Sequence, residues 1–206
     1  LKPVLSPTGK QLFFGRKFHP ENIGGVEDYE DIWVSDLDTV TNEWKQARNM
    51  GEPLNTEGPN WVSSITPDGN TLVMLLGNKY DEKKKRLISG VSMSSREGDG
   101  WSEPKAQEID DYYNVSEKAN FYLANNRKTL LMSIERDDTY GARDLYVSFL
   151  KRDGTWTAPM NLGATVNSAS EETSPVKAFL RTGSWLCQTT CLERLRRAIT
   201  ANPAMT

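Results

Sequence analysis

The sequence predicts an all-β fold built from repeated four-stranded antiparallel sheets, and a recurring phrase is the first observation behind this prediction. The phrase occurs three times, as LSPTGKQLFF (5–14), ITPDGNTLVM (65–74) and, more loosely, LANNRKTLLM (123–132). Gly9 and Gly69 lie 60 residues apart, and Thr71 and Thr129 lie 58 apart. This period is too long for a helical repeat pair and fits one propeller blade. We therefore expect about three and a half β-propeller blades, which belong to a larger propeller.

Two further landmarks follow the phrase in each repeat, always in the same order. The first is a short apolar strand, which reads DIWVS (31–35), ISGVS (88–92) and DLYVS (144–148). The second is a tryptophan after a polar turn, and Trp44, Trp101 and Trp156 are separated by 57 and 55 residues. Because three landmarks recur in the same order, the repeat is strong evidence for a repeated structural unit. They place a partial propeller at 1–175, with blades at roughly 1–60, 61–118 and 119–175.

The recurring phrase contains the turn of a hairpin. Pro presets the backbone for a tight turn, and Gly9 and Gly69 accept the positive φ that such a turn requires. In the third repeat Asn126 and Arg127 occupy this turn. A left-handed conformation at Arg127 is expected to destabilise the fold by about 1 kcal/mol. We expect the third hairpin to be the least well formed.

The strand patterns predict sheets that are covered on both faces. In the segment 72–76 both alternating faces are apolar, and both Ile32 and Trp33 require burial. Blades that stack against one another bury both faces of each sheet, whereas an open sheet leaves one face exposed to solvent. The tryptophan landmarks are expected to pack at blade edges. Trp61 has no counterpart in the other repeats and is the best candidate for an exposed aromatic side chain.

Composition excludes several classes of protein. The chain has 206 residues, 37% hydrophobic content and a net charge of −3 with both signs mixed, which argues against a nucleic-acid partner. No apolar run approaches the roughly 20 residues of a membrane span. Cys187 and Cys191 do not make a zinc site, because His19 is the only histidine and zinc takes four ligands. We predict no metal and no cofactor.

The repeat stops near residue 175, where another strand and turn are due. Residues 176–206 instead bring both cysteines, an Arg-rich composition and a pattern that predicts a short helix at 190–201, with Thr190 as its cap and Pro203 after it. An out-of-frame translation and a genuine divergent tail both explain this change. Three repeats are too few to close a propeller, so we expect missing blades or self-association at the open blade ends.

Three motifs together resemble the repeat of TolB-like, WD-repeat-related β-propellers. They are the Ser-Pro-x-Gly turn phrase, the Asp-Leu-Tyr-Val-Ser strand (144–148) and the closing Trp-x-x-Pro-x-Asn-Leu-Gly segment (156–163). The resemblance covers about residues 1–175. It implies a rigid binding platform of the bacterial periplasm or outer membrane, of the kind found with OmpA-like domains. Because the repeat motif is structural, the resemblance carries over no catalytic residues.

Propeller ligands usually meet one face built from loops, and four side chains in these loops are the candidate ligand face: Arg16, His19, Asp28 and Arg136. No Ser or Cys nucleophile motif accompanies His19, so no catalytic residue is predicted. The favoured function is a non-catalytic binding or scaffolding propeller for a protein or glycan ligand. The alternative is the propeller portion of a hydrolase, either a sialidase-like glycoside hydrolase or a prolyl-oligopeptidase-like peptidase, whose catalytic part lies outside this sequence.

Overall fold

The structure is a computed structural model that describes residues 3–56, 58–81, 86–116 and 118–173. Its regular elements in these ranges are fourteen β-strands and a single 3₁₀ turn. The chain divides into two compact units, residues 1–107 and 108–206. The first unit contains two blades, and the described part of the second unit contains one.

The first blade is an antiparallel sheet in which the strands follow chain order from β1 outward. Its closing edge consists of two short strands, β4 and β5, and both pair with β3. The strands are β1 (Val4–Leu5), β2 (Gln11–Arg16), β3 (Asp31–Asp38), β4 (Glu43–Trp44) and β5 (Arg48–Asn49).

The second blade repeats this order, with β8 at its centre paired to β7 and to two short closing strands. Its two central strands are longer than those of the first blade. The strands are β6 (Asn60–Ile65), β7 (Thr71–Asp81), β8 (Arg86–Glu97), β9 (Gly100–Trp101) and β10 (Lys105–Ala106).

The third blade forms the second unit and has four strands in consecutive order. An isolated bridge between Leu150 and Trp156 takes the place of β4 and β9. The strands are β11 (Asn120–Leu123), β12 (Thr129–Ile134), β13 (Asp144–Phe149) and β14 (Met160–Asn161).

The predicted fold class is confirmed, since the three repeats form antiparallel propeller blades. The third has the expected four strands, and in the first two the closing edge is divided into two short strands. The predicted blade boundaries stay a prediction. The further half blade, the unusual tail and its helix at 190–201 lie outside the described residues.

The hairpin turns form as the sequence predicts. Gly9 and Gly69 both have φ +71°, and their amides donate to the carbonyls of Ser6 and Thr66 at 2.9 and 2.8 Å. Arg127 takes the same place with φ +54°. The third hairpin is nevertheless not the least well formed, because β11 and β12 pair over four residues while β1 and β2 pair over two. The strands on either side of the turn are paired and almost completely buried, and this packing outweighs the local cost of the Arg127 conformation.

Replacing Arg127 by glycine is therefore expected to raise the free energy of unfolding by about 1 kcal/mol. A left-handed conformation costs an L-residue about this much, and glycine adopts it without strain. Thermal unfolding followed by circular dichroism measures the change. The neighbouring Lys128, which is exposed and is not a positive-φ residue, is the control, since Lys128→Gly should leave stability equal or lower. A stability loss in Arg127→Gly would contradict the strain argument.

The register of the second blade corrects the sequence alignment by two residues. Leu12 pairs with Ser35, Leu72 with Ser94, and Leu130 with Ser148. The segment equivalent to 31–35 is thus 90–94 and not 88–92.

The core of the first unit lies between its two blades. Phe13, Ile32 and Val34 of the first blade are almost completely buried and pack against a second-blade set made of Val62, Ile65, Leu72 and Met74. Trp101 meets the ring of Phe13 edge to face, with centroids 6.4 Å apart. We call the first-blade side of this contact, formed by Phe13, Ile32 and Val34, the Phe13 face.

A buried polar clamp closes the first blade. Asn49 donates from Nδ2 to Oδ2 of Asp31 at 2.7 Å, and its own Oδ1 accepts from Nδ2 of Asn55 at 2.7 Å. Asn55 also accepts from the amide of Ile32 at 2.8 Å and donates to its carbonyl at 2.9 Å. The clamp ties the closing segment to β3 through side chains that are partly or completely buried.

The third blade contains the same clamp at equivalent positions. Asn161 donates to Oδ2 of Asp144 at 2.8 Å and accepts from Asn167 at 2.8 Å. Asn167 accepts from the amide of Leu145 at 2.8 Å and donates to its carbonyl at 3.1 Å.

The second blade does not carry this clamp. Its register places Gly90 where the other blades have the aspartate and Ala106 where they have the first asparagine. Neither residue has a side chain that can make these hydrogen bonds. The closing segment of the second blade has therefore lost these specific polar contacts.

Candidate functional site

The loop of the first blade between β2 and β3, residues 17–30, is tied to the sheet by hydrogen bonds. Asn22 is buried, donates to the carbonyl of Arg16 at 3.0 Å and accepts from Nε1 of Trp33 at 3.1 Å. The amide of Phe18 donates to the carbonyl of Asp28 at 3.1 Å, which closes the base of the loop. These bonds anchor the loop at its base and near its middle to the sheet.

Two of the predicted ligand residues pack on one tryptophan. The guanidinium of Arg16 lies 4.3 Å from the centroid of the Trp33 ring, and the His19 ring meets the same indole edge to face at 4.6 Å. Trp33 is fully buried, as the sequence predicts. The structure thus brings Arg16 and His19 together, and both cover the core of the blade.

The third predicted residue, Asp28, is buried and lies next to the buried Asp31. Glu30, between them in the chain, is buried as well. Burial raises the pKa of Glu30, and the ammonium of Lys17 opposes this rise. Burial also raises the pKa of Asp31, and hydrogen bonds from Asn49 and from the amide of Ile23 oppose it. Asp28 is too deeply buried to offer its carboxylate to a large ligand at the surface.

Four large apolar side chains of this loop are exposed to solvent. Phe18 and Tyr29 meet edge to face with centroids 5.5 Å apart, and both rings are exposed. Lys17 donates to the Tyr29 hydroxyl at 2.6 Å and lies 4.1 Å from the ring centroid. This hydrogen bond raises the pKa of Lys17. Ile23 and Val26 are exposed on the same loop.

These four apolar side chains, Phe18, Ile23, Val26 and Tyr29, form what we call the loop patch. They are four of the ten large hydrophobic side chains that are exposed in the described parts of the chain. Sequence reasoning chose charged residues in this loop and missed the loop patch. The available signal was the presence of four large apolar residues in a segment that Gly24 and Gly25 mark as a turn.

The fourth predicted residue, Arg136, belongs to the other unit and already has partners there. Its guanidinium donates to the backbone oxygen of Asp111 at 2.7 Å and to Oδ2 of the same residue at 3.1 Å. It also lies 4.0 Å from the centroid of the Tyr113 ring, and its side chain is only 8% exposed. Arg136 fastens the loop between β12 and β13 to the segment before β11.

Within the described ranges, no three side chains of the types His, Cys, Asp and Glu are grouped so that they could hold a metal ion. The same residues include no helix with the length and apolar character of a membrane span.

No protein-family model matches the chain, and a search of curated proteins finds no match. Among solved structures, the chain is similar to the crystal structure of TolB from Acinetobacter baumannii, with 16% sequence identity and a TM-score of 0.45. The aligned region covers 77% of this chain and 31% of the TolB chain, so this chain spans about a third of that protein. Membership of the specific repeat family that the sequence resembles stays a prediction.

Proposed function

We propose that this chain is a non-catalytic binding module, part of a β-propeller of the bacterial envelope, and that it holds a protein ligand on the loop patch. The observation that carries this proposal is the concentration of exposed apolar side chains on one loop. Clustered apolar side chains at a surface are typical of protein interaction sites. A hydrophobic, aromatic surface of this kind favours a protein over a glycan, since glycans need polar partners around each aromatic ring.

The anchoring of the loop supports the same proposal. Ligand-binding loops on a rigid scaffold lose little conformational entropy when they bind. The hydrogen bonds of Asn22 and the packing of Arg16 and His19 on Trp33 hold the loop patch in one arrangement. In this interpretation Arg16, His19 and Asp28 position the binding surface and do not contact the ligand.

Photo-crosslinking from the loop patch tests the proposal. A benzophenone amino acid placed at Val26, which is 55% exposed, is expected to give a discrete adduct with an envelope protein in cells that naturally make this chain. Val40 is the matched control, because it is an exposed valine in the turn after β3 and lies outside the loop patch. Equal labelling from both positions, or no adduct from Val26, would count against a binding role for this loop.

Cell fractionation tests the envelope location separately. That location is supported by the resemblance of the repeat motif. Recovery of the protein with cytoplasmic markers would remove this part of the proposal and would leave the binding role of the loop patch open to the crosslinking result.

A further inference from the structure

The side of the first blade that faces away from the second blade is apolar and open. Successive side chains of a strand point to opposite faces, so Leu12 and Phe14 of β2 lie opposite Phe13. Leu5 pairs with Leu12 and shares its face. Leu5 is 53% exposed, and Leu12 and Phe14 are partly exposed. We call the surface formed by Leu5, Leu12 and Phe14 the Leu12 face.

The same face is covered in the other two repeats. The pairs Ile65 with Leu72 and Leu123 with Leu130 are equivalent to Leu5 with Leu12. All the equivalent side chains are buried, namely Ile65, Leu72 and Met74 in the second blade and Leu123, Leu130 and Met132 in the third. Of the three described blades, only the first has this surface exposed to solvent.

The repeated tryptophan follows the same pattern. Trp101 of the second blade packs on Phe13 of the first, and Trp156 of the third blade is 1% exposed. Trp44, the equivalent residue of the first blade, is 45% exposed. Two independent sets of positions, one in the sheet and one at its edge, are thus uncovered on the same blade.

The contact inside the first unit shows what covers such a surface. The surface of the second blade that is equivalent to the Leu12 face, formed by Ile65, Leu72 and Met74, packs against the Phe13 face of the first blade. Trp101 meets the Phe13 ring at the same contact. We propose that the Leu12 face of the first blade, together with Trp44, is the docking site of a further β-blade of the same repeat type. That blade presents a surface equivalent to the Phe13 face, with an aromatic or large aliphatic residue at the position that contacts Trp44.

The docking blade comes from a further repeat of the same protein and not from the described residues of a second copy. In the described blades, most residues on the surfaces equivalent to the Phe13 face are already buried: Phe13, Ile32 and Val34 in the first, Val73 and Val91 in the second, and Leu131 and Val147 in the third. Met93, which pairs with Val73, is partly buried. A second copy therefore has no free face of this type to offer from these residues.

A repeat-addition experiment tests the proposal. A copy of residues 1–60 is placed before residue 1, which preserves the natural 60-residue step between Gly9 and Gly69. The copy carries Leu5→Gln, Leu12→Gln and Phe14→Gln, so that its own outer face is polar, as in the terminal repeats of other repeat proteins. Covering the Leu12 face and Trp44 of the original first blade is expected to raise Tm by roughly 5–10 °C. Hydrogen exchange of the original residues 11–16 should slow at least about tenfold.

The control is the same construction with Phe13→Asp and Val34→Asp in the added copy, which removes the docking face and keeps the chain length. It should give neither the rise in Tm nor the slower exchange. An equal rise with this control, or no rise and no slower exchange with the first design, would overturn the proposal. So would a dimer of the unmodified chain in analytical ultracentrifugation that Leu12→Glu converts to a monomer, because the occupant would then be a second copy.

Discussion

Replacing Trp156 by alanine is expected to lower the free energy of unfolding of the 108–206 unit by about 3–5 kcal/mol, the usual cost of deleting a fully buried large aromatic side chain. Trp156 is 1% exposed, and its backbone bridges to Leu150 and to Ile109, so the side chain lies where two segments join the blade. Thermal or urea unfolding followed by circular dichroism measures the loss.

Trp44→Ala is the matched control for this experiment. It removes the equivalent tryptophan of the first blade, which is 45% exposed, so its loss of stability should be clearly smaller than that of Trp156→Ala. Equal losses in the two variants would show that Trp44 is covered in solution. That result would contradict the open surface described for the first blade.

Replacing Asn167 by leucine is expected to lower the free energy of unfolding by about 3 kcal/mol. The amide of Leu145 loses its partner, and an unpaired amide of this kind costs about 1–3 kcal/mol. The carbonyl of Leu145 and Oδ1 of Asn161 each lose one donor and keep another, the amides of Leu162 and Gly163. Leucine has the same branched arrangement of heavy atoms as asparagine but restores none of these bonds, and its larger volume adds an overpacking cost of about 1–3 kcal/mol. Chemical denaturation measures the change.

Asn55→Leu in the first blade should lose a similar amount, since its clamp is the same. Asn70, an exposed residue of the second hairpin turn, is the control, and Asn70→Leu should stay within about 0.5 kcal/mol of the parent. A small effect at both clamp positions would show that water replaces the lost hydrogen bonds and that the clamp is not a determinant of stability.

The hairpins could be predicted from the sequence because turn chemistry is local. Gly9 and Gly69 sit at positions that require positive φ, and few residues meet this requirement at low cost. The quality of the third hairpin could not be predicted in this way. Its stability depends on the buried strands β11 and β12, and tertiary packing outweighs the local cost at Arg127.

The alignment of the second blade was wrong by two residues for an equally physical reason. Residues 92–94 read Ser-Met-Ser, so either serine matches the final serine of the strand landmark. A shift of two residues keeps every side chain on the same face of a strand, so the apolar pattern does not separate the two alignments. The hydrogen bond from Ser94 to the carbonyl of Ser102, which matches that from Ser35 to Lys45, identifies the correct one.

The candidate site was predicted by location and not by residue. The sequence placed a surface loop between β2 and β3, but it did not show that Asp28 would be buried or that Arg16 would cover Trp33. Such contacts depend on how the loop folds back on its own blade. The clamp left a clearer trace, because Asn49 with Asn55 and Asn161 with Asn167 have the same spacing of six residues.

The second blade, with Gly90 and Ala106 in place of the clamp residues, is the natural weak point of the first unit. Its outer strand β10 has two paired residues and no side-chain fastening from an equivalent clamp. Local opening, proteolytic cleavage and the loss of slowly exchanging amides should begin at this edge, while the blade interior remains folded. The same edge is also where an insertion or a new side chain would disturb the protein least, so it is the place where this repeat could gain new contacts at little cost to the fold.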